Sequence, residues 1–255
     1  MMDGFLTALD LTANEFAILI VIVITAGIVR GFSGFALSAI VMATAVIILP
    51  PVQLIPICWC LEMTASVLMA RGGWAEADRG IVFGLVIGST AGVPIGVWLT
   101  TTLPVETSKV VALTIIIVLA LTQLAKLRLP FLATKPGLYG SGLTAGIVTG
   151  LSSVGGMVIA LYVLAQDAAA AKMRAALVLF LFLSGLTTVV TLILFDVMNT
   201  TAALRGLSLA IPTAFGVFLG QRLFIPRFAA YYRPFCLSLL CVLASAALIR
   251  TGLTT

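Results

Sequence analysis

Two charged side chains in this chain stand where charge is expensive. Arg30 lies in a glycine- and serine-rich interruption of an apolar stretch, and Glu62 is the one acidic residue inside an apolar run, between Trp59 and Met63. A charge within a bilayer carries a large desolvation penalty, so such a residue is read first as functional. A guanidinium is a planar fork of donors that matches the oxygens of a carboxylate, sulfonate or phosphate. Arg30 can therefore bind an anion, pair with Glu62, or snorkel to the membrane interface. Glu62 can pair with Arg30 or, as a desolvated carboxylate, take up and release a proton.

The interruption around Arg30 occurs twice. Residues 25–34 read TAGIVRGFSG and residues 144–153 read TAGIVTGLSS, identical at seven of ten positions; Arg30 corresponds to the neutral Thr149. Each copy closes an apolar run with a Gly/Ser patch, and another apolar run follows. Backbone amides in hydrocarbon must be satisfied internally, so such a break is tolerated only against protein or a wet cavity. Matching breaks in two halves of a chain point to a binding site between them. With new helices starting near Ser33-Gly34 and Ser152-Ser153, two helix N-termini would lie at membrane depth, each with unpaired N–H groups and about half a positive charge. That arrangement suits an anion. The candidate substrate-binding set is Arg30, Ser33, Gly34, Phe35, Ser152, Ser153, Gly155 and Gly156, with Glu62 as the candidate proton site.

Positioning these residues requires a membrane-embedded helical frame. The 255 residues are 62% hydrophobic and 9% charged, against roughly 25% charged in a soluble domain. The apolar runs are continuous and lack the alternation of a membrane β-barrel. With Asp3, Asp10 and Glu15 and no basic residue in the first fifteen positions, a cleaved signal peptide is not expected. The four cysteines (Cys58, Cys60, Cys236, Cys241) sit in apolar runs and the chain has no histidine, so they read as small buried hydrophobes. No metal and no cofactor is expected. The net charge of +5 comes from loop residues and calls for no nucleic acid.

Hydrophobic runs fall near 16–30, 34–50, 52–70, 80–102 and 107–125, then near 138–150, 154–166, 175–195, 202–222 and 234–250. The expected fold is an all-α polytopic membrane protein of two inverted repeats, residues 1–130 and 131–255, each of about five helical segments. A fifteen-residue first run reaches only about 23 Å, short of a ~30 Å core, so the first two segments of each half are expected to form a re-entrant or broken-helix hairpin. With the N-terminus outside, the inner loops carry Arg71, Arg79, Lys126, Arg128, Lys135, Lys172, Arg174, Arg222, Arg227 and Arg233; the outer ones carry Lys109, Arg205 and Arg250. This bias places both termini outward. Gly92-Val93-x-x-Gly96-x-x-Leu99 matches Gly216-Val217-x-x-Gly220-x-x-Leu223 in the same order. Glycines four residues apart (Gly27/Gly31, Gly88/Gly92/Gly96, Gly142/Gly146/Gly150, Gly216/Gly220) read as flat packing stripes, serving contacts within a chain or in a homo-oligomer equally. Pro94 and Pro212 are expected to kink the fourth segments.

Taken together, Gly31-Phe32-Ser33-Gly34-Phe35, Ile55-Pro56 through Glu62, Gly92-Val93-Pro94-Ile95-Gly96, Gly150 to Gly156 and Lys172 to Ala176 resemble the TauE/SafE-type sulfite exporters, grouped with the toluene-sulfonate uptake permeases. The resemblance covers almost the whole chain. It implies a bacterial inner-membrane secondary transporter for small anions, often sulfur-containing: sulfite, sulfoacetate and other organosulfonates. The family's second-half motif often reads Gly-Gly-Pro-Pro, whereas here Met157-Val158 follow Gly155-Gly156. The expected function is alternating access of such an anion around the two breaks, with export the favoured direction. A non-transporting membrane scaffold is the alternative; a membrane-embedded enzyme is disfavoured by the lack of a nucleophile–base pair or metal cluster.

Overall fold

The computed structural model describes residues 2–69, 78–127, 130–165, 170–223 and 229–254. Eleven α-helices appear among them: α1 (Met2–Leu9), α2 (Ala13–Ser33), α3 (Leu37–Ala45), α4 (Pro51–Met69), α5 (Arg79–Thr102), α6 (Val105–Leu124), α7 (Lys135–Ser152), α8 (Gly155–Ala165), α9 (Ala170–Leu194), α10 (Thr200–Leu223) and α11 (Ala229–Thr254). A 3-10 turn at Pro130–Ala133 precedes α7. Seven of them, α2, α4, α5, α6, α10 and most of α9 and α11, are long and apolar enough to cross a membrane. The protein is an all-helical, multi-pass membrane protein. Of the residues counted for topology, Arg71, Arg128 and Arg227 lie outside the described residues, as do the side chains of Lys172, Arg174 and Arg233.

The first segment of each half is longer than its hydrophobic run. α2 has 21 residues, about 32 Å, long enough to cross by itself. Its polar start is held by a capping box, in which Thr12 Oγ1 accepts from Glu15 N–H at 3.2 Å and Glu15 Oε2 accepts from Thr12 N–H at 2.9 Å. Such reciprocal caps satisfy two of the orphan donors at a helix start, and they carry the helix three residues beyond the apolar run. α7 has 18 residues, about 27 Å, but its glycines, serines and threonines leave it less apolar than the seven. The short pieces are the second ones. α3 has nine residues and every one except Thr44 is buried; Met157 to Val163 of α8 are buried as well. Half-length helices of this kind would be untenable in lipid, and here protein surrounds them.

Glycine stripes join the frame in two pairs. α2 packs along α10, and α5 along α7. A methyl group on Gly27 would lie 2.7 Å from Thr213 O, and one on Gly88 would lie 2.6 Å from Tyr139 O; Gly31, Gly92, Gly96, Gly216 and Gly220 are closed by facing backbone in the same way. Without a hydrophobic drive between helices in lipid, close backbone contact is what holds such pairs. α4 runs through the middle, touching α2, α3, α5, α6, α7, α9 and α10. Glu62 sits on this central helix. Apolar residues exposed on the outside, such as Phe83, Ile87 and Trp98 on α5 and Leu207, Ile211 and Phe215 on α10, face where lipid would be.

Arg205 departs from its expected place in a loop. It lies within α10, 3% exposed. Its Nε donates to Leu9 O at 2.6 Å, Nη1 to Gln53 Oε1 at 2.8 Å and Nη2 to Asp10 O at 2.9 Å. The guanidinium thus ties the end of α1, which the hydrophobic runs did not include, to α4 and α10.

Candidate functional site

α2 ends where its repeat motif ends. Gly34 caps it in the left-handed region (φ 81°), with its N–H bonded to Arg30 O at 2.9 Å. The corresponding residue of the second motif, Ser153, caps α7 in the same conformation (φ 60°), its N–H bonded to Thr149 O at 2.8 Å. An L-residue held there is strained by roughly 1–2 kcal/mol, which glycine avoids. The serines therefore belong to the ends of the preceding helices and not to the starts of the next ones. Ser33 Oγ lies 2.7 Å from Val29 O and 2.8 Å from Phe35 O and accepts from Phe35 N–H. Ser152 Oγ donates to Val148 O at 3.1 Å and is fully buried. Neither hydroxyl is free to cradle a ligand in this conformation. Gly155, at the start of α8, is closed by Thr149 Oγ1 and Ala145 O, so it lets α8 fold back against α7.

The following helix, α3, starts at Leu37 behind Ala36, which has positive φ (76°) and no side-chain cap to offer. The missing cap comes from α4. Glu62 Oε1 accepts from Ser38 N–H at 3.3 Å and from Ser38 Oγ–H at 2.9 Å. Glu62 Oε2 faces Arg30 Nη2 at 3.3 Å. Arg30 is fully buried; its Nη1 donates to Gly34 O and its Nη2 also reaches Ser66 Oγ at 3.4 Å. A carboxylate on exposed amides at a helix N-terminus is favourable, so the anion position there is filled by a side chain of the protein itself. The open choice for Arg30 resolves into pairing with Glu62 in place of snorkelling. Two polar atoms are left over: Arg30 Nε has no acceptor, and Glu62 Oε2 has only its ion pair.

The two breaks meet. Phe35, Ala36, Ser38 and Ala39 of the first and Ser153, Val154, Gly156 and Met157 of the second line one cavity with Glu62 and Leu181. Its volume is about 10 Å³, room for a single water. Phe35, Ser153, Gly156 and Glu62 are on its wall, while Arg30, Ser33, Gly34, Ser152 and Gly155 stand behind it. Ser38 and Ser66 are polar partners that sequence reading missed. Ser66 follows Glu62 by one helical turn, a spacing that puts both on one face, and that was the available signal.

The family model for the sulfite exporter TauE/SafE matches residues 19–247, nearly the entire chain and both breaks. The chain belongs to the TauE/SafE family. No curated protein and no solved structure matches it. Among the described residues of this TauE/SafE protein the second break shows no counterpart of the Arg30–Glu62 pair: Thr149, in the place of Arg30, turns its hydroxyl to Ala145 O at 2.8 Å. Among the described residues, the charge at the cavity therefore comes from the side of the first break. Gln123 Nε2 donates to Met157 O at 3.3 Å, steadying the first turn of α8 from α6. All four cysteines are free thiols, three of them buried. Among the described residues, no group of three or more His, Cys, Asp or Glu could hold a metal ion.

Proposed function

We propose that this membrane transporter-family protein carries small sulfur-containing oxyanions, such as sulfite or an organosulfonate, by alternating access around the paired breaks, and that it works as an exporter in a bacterial inner membrane with both termini outward. The observation that carries the reading is the Glu62 carboxylate seated on the α3 N-terminus beside buried Arg30. The donors there already hold one anion, and an oxyanion substrate would satisfy the same Ser38 amide and hydroxyl and the unpartnered Arg30 Nε. The cavity in this state admits no more than a water, so loading requires α3 and α8 to move apart. The two halves, residues 1–130 and 131–255, are related as inverted repeats and would rock around the site. The reciprocal packing of α2 on α10 and α5 on α7 supports the inverted relation, because each joins a first segment of one half to a fourth segment of the other.

Within this proposal Glu62 is the coupling group. When it binds a proton its hold on Arg30 weakens, which frees the guanidinium for substrate. The test is transport of sulfite, sulfoacetate and taurine into inverted vesicles by the parent, Arg30→Ala and Ser38→Ala proteins, with folding checked by gel filtration. Loss of uptake in both variants is expected. Uptake at parental rates in well-folded Arg30→Ala would refute the site.

A further inference from the structure

A second cavity lies away from the breaks. It has a volume of about 760 Å³ and is walled by α6, α7, α8 and the 3-10 turn, through Ile115, Leu119, Phe131, Leu132, Val158 and Leu161 among others. At one end of the cavity Thr134 and Pro136 flank the exposed Lys135, and exposed Lys126 follows the end of α6. The connection from α6 to α7 spans only residues 125–134, so both lysines lie at the same end of the molecule.

We infer that this cavity binds one acyl chain of an anionic membrane lipid, with the headgroup phosphate at Lys126 and Lys135. Depth along α7 fits that assignment, since the lining runs from Pro136 to Val148, about 18 Å from the lysine end. A flexible alkyl chain can thread this apolar groove along its length. This inference is independent of the proposed anion transport.

The experiment uses the full chain, delipidated in neutral detergent, and follows its melting temperature with phosphatidylglycerol or phosphatidylcholine of matched chains. Bound lipid is counted by native mass spectrometry. Gly140→Leu is the blocking variant. Gly140 lines the cavity, and a methyl group added there meets nothing within 4 Å, so the backbone accepts it. Thr144→Phe fills the same space from the next turn. Lys126→Asn/Lys135→Gln removes the headgroup charges, Asn being chosen because residue 126 has positive φ (51°). Phosphatidylglycerol is expected to raise the parent's melting temperature by several degrees and to stay bound, with phosphatidylcholine weaker. Both blocking variants should abolish the effect of either lipid, and the double lysine variant should erase the preference. An undiminished phosphatidylglycerol shift in both blocking variants would overturn the inference. So would a lipid-free dimer of the parent that the blocking variants convert to monomer, since a second copy would then be the occupant.

Discussion

Removing the charge of Glu62 should harm the protein more than removing that of Arg30, although the two form one pair. Arg30 is fully buried, while the Glu62 side chain keeps 15% of its surface exposed. In Glu62→Gln the guanidinium stays buried with only neutral acceptors, namely Gly34 O, Ser66 Oγ and the amide oxygen of the introduced side chain. Leaving a buried charge uncompensated costs about 3–5 kcal/mol. In Arg30→Met the buried charge is gone, and Glu62 still holds the Ser38 amide and hydroxyl and reaches some water. The loss is then a set of hydrogen bonds, about 1–3 kcal/mol. The double variant has no charge to strand, and exchanging a buried pair for neutral groups is often close to neutral. It should therefore be more stable than Glu62→Gln, by about 2 kcal/mol, although it carries one more substitution. Such non-additivity is the signature of direct coupling. Membrane proteins often unfold irreversibly, so the assay is the apparent melting temperature in one detergent at one scan rate. The expected order is parent, then the double variant and Arg30→Met, then Glu62→Gln. Equal losses in the two single variants, with an additive double, would show that the pair does not hold the site together.

Three further outcomes follow from the same geometry. Glu62→Ala empties the carboxylate position on the α3 N-terminus, so millimolar acetate or sulfite should raise its melting temperature more than the parent's; an equal response would place anion binding elsewhere. Ser153→Gly should stabilise the protein by up to about 1 kcal/mol by relieving the left-handed cap, and Gly34→Ala should destabilise it by about 1 kcal/mol, both read as melting shifts of opposite sign. Gly92→Leu should force α5 from α7, because Leu143 O and the backbone of Gly146 close that space; a folded variant with unchanged melting temperature would contradict the close packing of the two helices.

The ten hydrophobic runs all correspond to helices among the described residues, because apolar length is a local property that burial in lipid enforces directly. The positions of the breaks were legible for the same reason: two copies of a motif ending in Gly/Ser mark where helical backbone gives way. What went astray were the helix ends. α2 begins before its run because the Thr12–Glu15 capping box is polar, and the serines of both motifs finish one helix instead of opening another. Hydrophobicity does not register a cap, and hydroxyls that bond back to the carbonyl four residues earlier look the same in a sequence as hydroxyls aimed at a ligand.

Arg205 shows the same divide. A cation near a segment end counts toward loop charge in a sequence, yet here the guanidinium is folded inward onto Leu9 O, Asp10 and Gln53. By itself, the sequence determined that the chain is helical and membrane-embedded, that Arg30 and Glu62 stand among apolar residues, and that two symmetric breaks interrupt it; each of these follows from composition, spacing or local backbone rules. Only the tertiary structure decided that the breaks share one cavity, that Glu62 caps α3 in place of Ala36, and that Ser38 and Ser66 complete the polar cluster. The Glu62–Ser38 and Arg30–Ser66 contacts join residues 24 and 36 positions apart, the two breaks lie further apart still, and no local preference specifies any of these: they depend on the path of α4 between α2 and α3, which close packing of the surrounding helices sets.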